Sequence, residues 1–387
     1  MSLPDCPVCS TPAPAPFFEL AGVPVYCNVL WPTRDDALAA PRADIRLALC
    51  GTCGLIWNTS FDSTAVDYGA EYENSLHYSP VFQEHVRELA ERLVSEHGLD
   101  GAHVIDIGCG KGDFLALVCE GGRNRGTGFD PSYEGGYDDA PWLSFRRDVY
   151  RADASAPRGD LVTARHVLEH VTEPARFAEL SRAAVAEGGT VYLEVPSGEY
   201  MLRTGAVWDV IYEHCTYFTA PALTRLLHDA GFEVVRTGES FGDQYLWVEA
   251  RTATAASRAE SWPATPELDE LARLAGRFAG TFASVVRSAE RVLADGGART
   301  RLALWGAGSK GVTFLNVADR HHRVETVFDV NPRKQGRHVA GSGQRILAPA
   351  ELSAAEPETV LVMNPLYTLE IEELVRESGV DAEVVLV

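Results

Sequence analysis

No run of apolar residues in this 387-residue chain is long enough to span a bilayer. The N-terminus, MSLPDCPVC, lacks the basic-then-apolar order of a secretory leader. Positive charge is short as well: 34 basic residues face 55 acidic ones, a formal net charge of −21. A field of that sign repels phosphate backbones, so nucleic acid is not an expected partner, and no membrane partner is expected either. A solubilising surface is the plainer explanation of the acidity and the one expected. The expectation is a cytoplasmic protein, monomer or homodimer, whose length suggests two or three domains.

Without a leader, the eight cysteines do not read as a disulfide framework. Four are paired by spacing, Cys6-Pro-Val-Cys9 and Cys50-Gly-Thr-Cys53. Two such knuckles can bring four thiolates into the tetrahedron that zinc prefers, and an all-cysteine set leaves no position for substrate. A structural Zn²⁺ is therefore expected, with free thiols or a redox pair as the alternatives. Cys27, Cys109, Cys119 and Cys215 read as small buried residues.

From Pro80 the spacing of Val81, Phe82, Val86, Leu89, Ala90 and Leu93 predicts an amphipathic helix. Tyr68, Tyr72 and Tyr78 precede it in polar sequence, as a substrate lid or as packing handles. Strands and helices then alternate: AHVIDIGCGKGDFLALV, RGTGFDPS, LSFRRDVYRADA, DLVTARHVLEHV and GGTVYLEVPS. That order predicts an α/β fold with a parallel sheet, helices on both faces and ligands at the carboxyl ends of the strands. FEVVRTGES and QYLWVEA complete the sheet, TATAASRAESWPATP reads as a linker, and a helix is predicted from Pro266 to Asp295. TRLALWGAGSKGVTFLN and VFDVNPRKQG then give a second strand–glycine loop–helix unit, ending its next strand at Asp329. This second loop has three open readings: a structural domain, a seat for a phosphate-bearing part of the substrate beside Lys310, or an NAD site.

In the first loop, Asp106 can accept a hydrogen bond from a cationic amino group. Gly108 and Gly110 allow close backbone approach, and Asp130 can chelate ribose hydroxyls. This pattern resembles the class I S-adenosylmethionine-dependent methyltransferases. The resemblance implies that Asp148, Val149 and Tyr150 lie near the adenine and that His166 belongs to the cofactor site.

The whole chain, through its knuckles, DIGCGKG, TARHVLEHV, EVPS, YEHCTYFT and WGAGSKG, resembles the sugar C-methyltransferases of antibiotic biosynthesis. That likeness implies a zinc-binding N-terminal domain over 1–70, a class I methyltransferase domain over 71–252 and a Rossmann-like C-terminal domain over 264–387. It also implies deprotonation next to the ketone of a nucleotide-linked 4-keto deoxysugar, with a TDP-linked keto sugar as the expected small-molecule substrate, and methyl transfer to the carbanion. By resemblance His214 is the base, supported by Glu213, Tyr212, Tyr72 and His170; the chemistry agrees, because imidazole ordinarily titrates near working pH. Two departures from the family pattern are expected to face the substrate: Tyr212 abuts Glu213 directly, and Phe241-Gly-Asp-Gln-Tyr245 replaces a GGS-like turn. The alternatives are an N- or O-methyltransferase on another acceptor, a non-catalytic cofactor-binding partner, and an NAD-dependent oxidoreductase.

Overall fold

The computed structural model describes residues 3–66, 72–137, 139–153, 155–253, 265–295 and 300–387. Tyr68 and most of the expected linker lie outside the described residues. Three sheets organise the chain. The first is antiparallel, in the order β1 (Phe18–Pro24), β2 (Arg42–Leu49), β3 (Ile56–Asn58) and β9 (Thr216–Tyr217). Its fourth strand thus comes from the YEHCTYFT segment, inside the stretch expected to belong to the methyltransferase sheet.

That second sheet is built from β4 (His103–Ile107), β5 (Arg125–Phe129), β6 (Leu143–Arg146), β7 (Gly159–Arg165), β8 (Val185–Pro196), β10 (Phe232–Ser240) and β11 (Tyr245–Thr252). The order is β6-β5-β4-β7-β8-β11-β10, with β11 antiparallel to its neighbours. The central strands carry near-continuous apolar runs because helices cover both faces. The helix Pro80–Glu96 follows its predicted face: Phe82, Val86, Leu89, Ala90 and Leu93 are buried, and the Ser79 hydroxyl accepts from the Phe82 amide to cap it.

The third sheet is all parallel: β12 (Leu302–Trp305), β13 (Val324–Phe328), β14 (Ile346–Leu347), β15 (Thr359–Val362) and β16 (Glu383–Leu386), ordered β14-β13-β12-β15-β16. A helix from Thr265 to Asp295 ties the units together. Its Phe278 and Phe282 rings lie 5.2 Å and 4.7 Å from Phe18 of β1, in one core that also includes Trp208, Leu304 and Phe314. Burying each such ring contributes roughly 1.5–3 kcal/mol. Among the described residues no helix is long and apolar enough to cross a membrane.

Candidate active site

The carboxyl ends of the two parallel sheets open onto one cavity of about 860 Å³. Each sheet delivers a glycine loop between its first strand and the helix that follows. After β4, Gly108, Gly110 and Gly112 all have positive φ (75°, 54° and 89°). A Cβ on Gly108 would lie 2.3 Å from a Val167 methyl, so only glycine fits there. The Gly110 amide donates to Asp130 Oδ2 (2.8 Å), and the Ser132 amide and hydroxyl donate to Oδ1 (2.7 and 2.6 Å). Asp106 is buried at the end of β4 and accepts from the Thr163 hydroxyl (2.7 Å); burial pushes its pKa up to about 6. Asp106, Gly108, Gly110, Asp130, Val149 and His166 all line the cavity. Asp148 does not: it is exposed and pairs with Arg151 (3.0 Å), whereas Val149 and Tyr150, next to it in the chain, line the cavity.

His166 follows β7 with φ +55°, a left-handed conformation that costs a non-glycine residue about 1–3 kcal/mol. This turns its ring between Glu169 (3.7 Å) and Glu194 (3.4 Å), edge-on to Tyr245. Burial alone would lower its pKa, but the two carboxylates outweigh it and raise it.

The segment Asp209–Tyr217 crosses between the units, from the end of a short 3-10 helix through a turn at Tyr212 and Glu213 into β9, and its side chains part to different sides. Asp209 pairs with Lys310 of the second glycine loop. Tyr212 is buried away from the cavity, stacked on Phe61 and accepting from the Asp62 amide (2.8 Å). Glu213 is fully buried and accepts from the Cys27 amide (3.0 Å); burial raises its pKa to about 7. Neither Tyr212 nor Glu213 lines the cavity, so both leave the catalytic set and hold the turn in place.

His214 does face the cavity, with its ring 5.1 Å from that of His170 and 5.7 Å from that of Tyr217. Its Nδ1 is buried with no hydrogen-bond partner among the described residues. Burial, then the neighbouring His170, lowers its pKa to about 3, so the ring rests neutral. His170 is held by its Nδ1 against the Glu213 carbonyl (2.9 Å), and Tyr72 meets it edge-on at 6.5 Å. The structure therefore gathers His214, His170 and Tyr72 around one space.

Sequence reasoning missed Glu169, whose ligand oxygen lies within 4.8 Å of the His170 and His214 ring nitrogens. It sits in the quoted VLEH but was passed over for its histidine. Missed too was a signal in composition. The chain has only three lysines, Lys111, Lys310 and Lys334, and every one of them lines this cavity. Lys334 is buried, its ammonium donating to the Ala307 carbonyl (3.1 Å). Of the replaced GGS-like turn, Gln244 and Tyr245 reach the cavity, and Gln244 exchanges amide hydrogen bonds of 3.0 Å with Asn364.

Outside this cavity, Cys6, Cys9, Cys50 and Cys53 bring their sulfurs within 4.8 Å of one another. Cys6–Cys53 and Cys9–Cys50 are 3.6 and 3.4 Å apart, well beyond a disulfide bond of about 2 Å. A tetrahedron with Zn–S bonds of about 2.3 Å has edges of about 3.8 Å, so the donor set fits that ion. The other four cysteines are buried singly.

Two domain families match the chain: "Methyltransferase domain" over residues 82–237 and "C-methyltransferase C-terminal domain" over residues 257–381. Among curated proteins it is similar to C-methyltransferase NovU of Streptomyces niveus, 24% identical across 96% of this chain and 92% of that one. It is also similar to a ubiquinone biosynthesis O-methyltransferase of Alkalilimnicola ehrlichii, 36% identical but across only 24% of this chain and 41% of the other. Among solved structures, the 1,6-didemethyltoxoflavin-N1-methyltransferase of Burkholderia thailandensis aligns with a TM-score of 0.35 and 20% identity, over 45% of this chain and 82% of that one. The protein is an S-adenosylmethionine-dependent methyltransferase. Its plan, a methyltransferase domain followed by that particular C-terminal domain, is the plan of the C-methyltransferases.

Proposed function

We propose that the enzyme methylates a carbon next to a ketone, and that its acceptor is a nucleotide-linked 4-keto deoxysugar. The observation that carries this reading is His214: a neutral imidazole with an unpartnered nitrogen, in the same cavity as the cofactor loop. Carbon is a poor nucleophile until a base removes its proton, a step worth about 10²–10⁴-fold. In the empty cavity His214 is a weak base. Negative charge developing on the acceptor oxygen raises its proton affinity as the proton moves, and the Glu169 carboxylate supports the imidazolium that forms. The enolate carbon then displaces the methyl group from the cofactor sulfonium, leaving S-adenosylhomocysteine.

The cationic side of the cavity supports a phosphate-bearing acceptor. Lys310 and Lys334 flank the second glycine loop, and among the described residues no carboxylate lies within salt-bridge distance of Lys334. The direct test is exchange of the acceptor's α-hydrogen for deuterium in D₂O with S-adenosylhomocysteine bound and a TDP-4-keto sugar added. His214→Asn should slow exchange by about 10²–10⁴-fold while leaving cofactor affinity within a few-fold. Undiminished exchange would remove His214 as the base, and a methyl group found on oxygen or nitrogen would move the enzyme to the runner-up class.

The four-cysteine cluster is read as a structural zinc site. Metal analysis should return one zinc per chain, and Cys53→Ser should lose both the metal and thermal stability; metal-free wild type with an unchanged melting curve would end that reading.

A further inference from the structure

Arg165 ends β7, and its side chain is only 9% exposed while lining the cavity. Its guanidinium lies over the Phe114 ring (4.5 Å to the centroid), and Nε donates to Glu194 Oε1 at 2.8 Å. Glu194 is fully buried and held ionised: burial opposes this, but Arg165, then His166, outweighs it and keeps the pKa below the usual carboxylate range. The Tyr192 hydroxyl donates to its other oxygen (2.8 Å). The fork is thus fixed on one edge by a carboxylate and beneath by an aromatic face. On its other edge Nη2 is buried and has no partner among the described residues. A buried charged donor left unpaired is costly, which points to an anion that arrives with a ligand.

Beside it stands the opposite charge. Asp106 feels Arg165 electrostatically and spends one oxygen on Thr163. The strands that carry them, β4 and β7, are adjacent and parallel, with Asp106 in register with Thr163. An open guanidinium edge next to a buried carboxylate at the glycine loop matches a zwitterion. The amino-acid end of S-adenosylmethionine is one: an α-carboxylate and an α-ammonium on the same carbon. We infer that Arg165 receives the cofactor's α-carboxylate through Nη2, with Asp106 receiving its α-ammonium, and that Glu194 and Phe114 serve to aim the guanidinium. Arginine suits this because its planar fork can bind carboxylates on both edges at once.

The inference rests on the cofactor and not on the acceptor, so its test needs no methyl transfer. Calorimetric titration compares S-adenosylhomocysteine with its decarboxylated analogue, 5′-deoxy-5′-(3-aminopropylthio)adenosine. Wild type should prefer the carboxylated ligand by roughly 10- to 100-fold, the range of a charged hydrogen bond. Arg165→Gln should bring the two affinities within about 3-fold, by weakening only the carboxylated ligand. Should that variant misfold because Glu194 is left unpaired, Arg165→Gln/Glu194→Gln removes both charges and should show the same loss of preference. Arg165→Lys should keep part of it. An unchanged preference in either glutamine variant, or an equal weakening of both ligands, overturns the assignment and leaves Arg165 as a structural partner of Glu194. Retained preference for the carboxylated ligand in an enzyme that fails to exchange or methylate a keto sugar would instead count against the acceptor proposed above.

Discussion

The two glycine loops share one backbone device and differ in the sign of the charge around it. In the first, the Gly108 amide donates to the Phe129 carbonyl (2.7 Å), and Asp130 takes the amides of Gly110 and Ser132. In the second, the Gly306 amide donates to the Phe328 carbonyl (2.7 Å), and Asp329 takes the amides of Ala307 and Asn331 (both 2.8 Å). The chemistry separates at the next level. Two residues before the first glycine stands Asp106 in one loop and the apolar Leu304 in the other. Under the proposed function Asp106 faces the cofactor's ammonium and Asp130 its ribose hydroxyls. At the second loop Lys310 is paired with Asp209 and Lys334 donates to the Ala307 carbonyl; under the proposed function these two cations face the acceptor's phosphate. Fold alone would have given both loops the same ligand; the side chains decide otherwise.

The largest effect that sharpens this contrast is Gly108→Ala against Gly308→Ala. The first forces a Cβ into Val167 at a positive φ, and it should weaken S-adenosylhomocysteine by roughly 100-fold or more while lowering the melting temperature. At Gly308 φ is −91° and nothing lies within 4 Å of an added Cβ, so calorimetry should find cofactor affinity unchanged. Equal losses in the two variants would break the comparison. A smaller effect is expected from the acids. Asp130→Asn should weaken the cofactor by roughly 10- to 100-fold, the worth of a charged hydrogen bond or two, whereas Asp329→Asn should lower stability only. A cofactor defect in Asp329→Asn would mean that the loops do not divide their labour.

The smallest is a pH effect of no more than tenfold per unit. Asp106 titrates at about 6, raised by burial, and only its ionised form attracts an ammonium, so cofactor affinity should fall as pH drops below 6. The same shift makes the ligand-free protein bind a proton that the unfolded chain releases between about pH 3.8 and 6. Asp106 therefore stabilises the fold most at low pH and loses that contribution as pH rises through 6. Both trends should vanish in Asp106→Asn. The affinity limb should persist in His214→Asn, because that ring is already neutral far below pH 6.

Much of this was legible in the sequence. Alternating strands and glycine turns fixed the order of elements from Pro80 to Thr252, and loop spacing picked out Asp106 and Asp130. The knuckle cysteines were legible because their spacing is local. What escaped was direction. YEH was read as one cluster, yet Glu213 turns to Cys27, His214 to the cavity and Tyr212 to Phe61, a divergence that depends on a sheet partner 160 residues earlier in the chain. Asp148, placed near the adenine by resemblance, is exposed and pairs with Arg151 outside the cavity, an orientation its sequence context did not reveal. Arg165 lies within the quoted TARHVLEHV but gave no sign of a role there, since its meaning lies in an unpaired edge that only coordinates reveal.

The pairing of β3 with β9 has a consequence for how this enzyme can be taken apart. Ile56 and Trp57 pair with Tyr217 and Thr216, three and two residues from the imidazole. The thiol knuckle at Cys50 and Cys53 is joined to Ile56 by a few residues of turn. Trimming the leading segment as though it were a removable cassette would therefore unstitch the seam that seats the histidine, and a graft onto another methyltransferase core would have to bring its partner strand along. The two pieces, distant in the written order, behave as a single mechanical part.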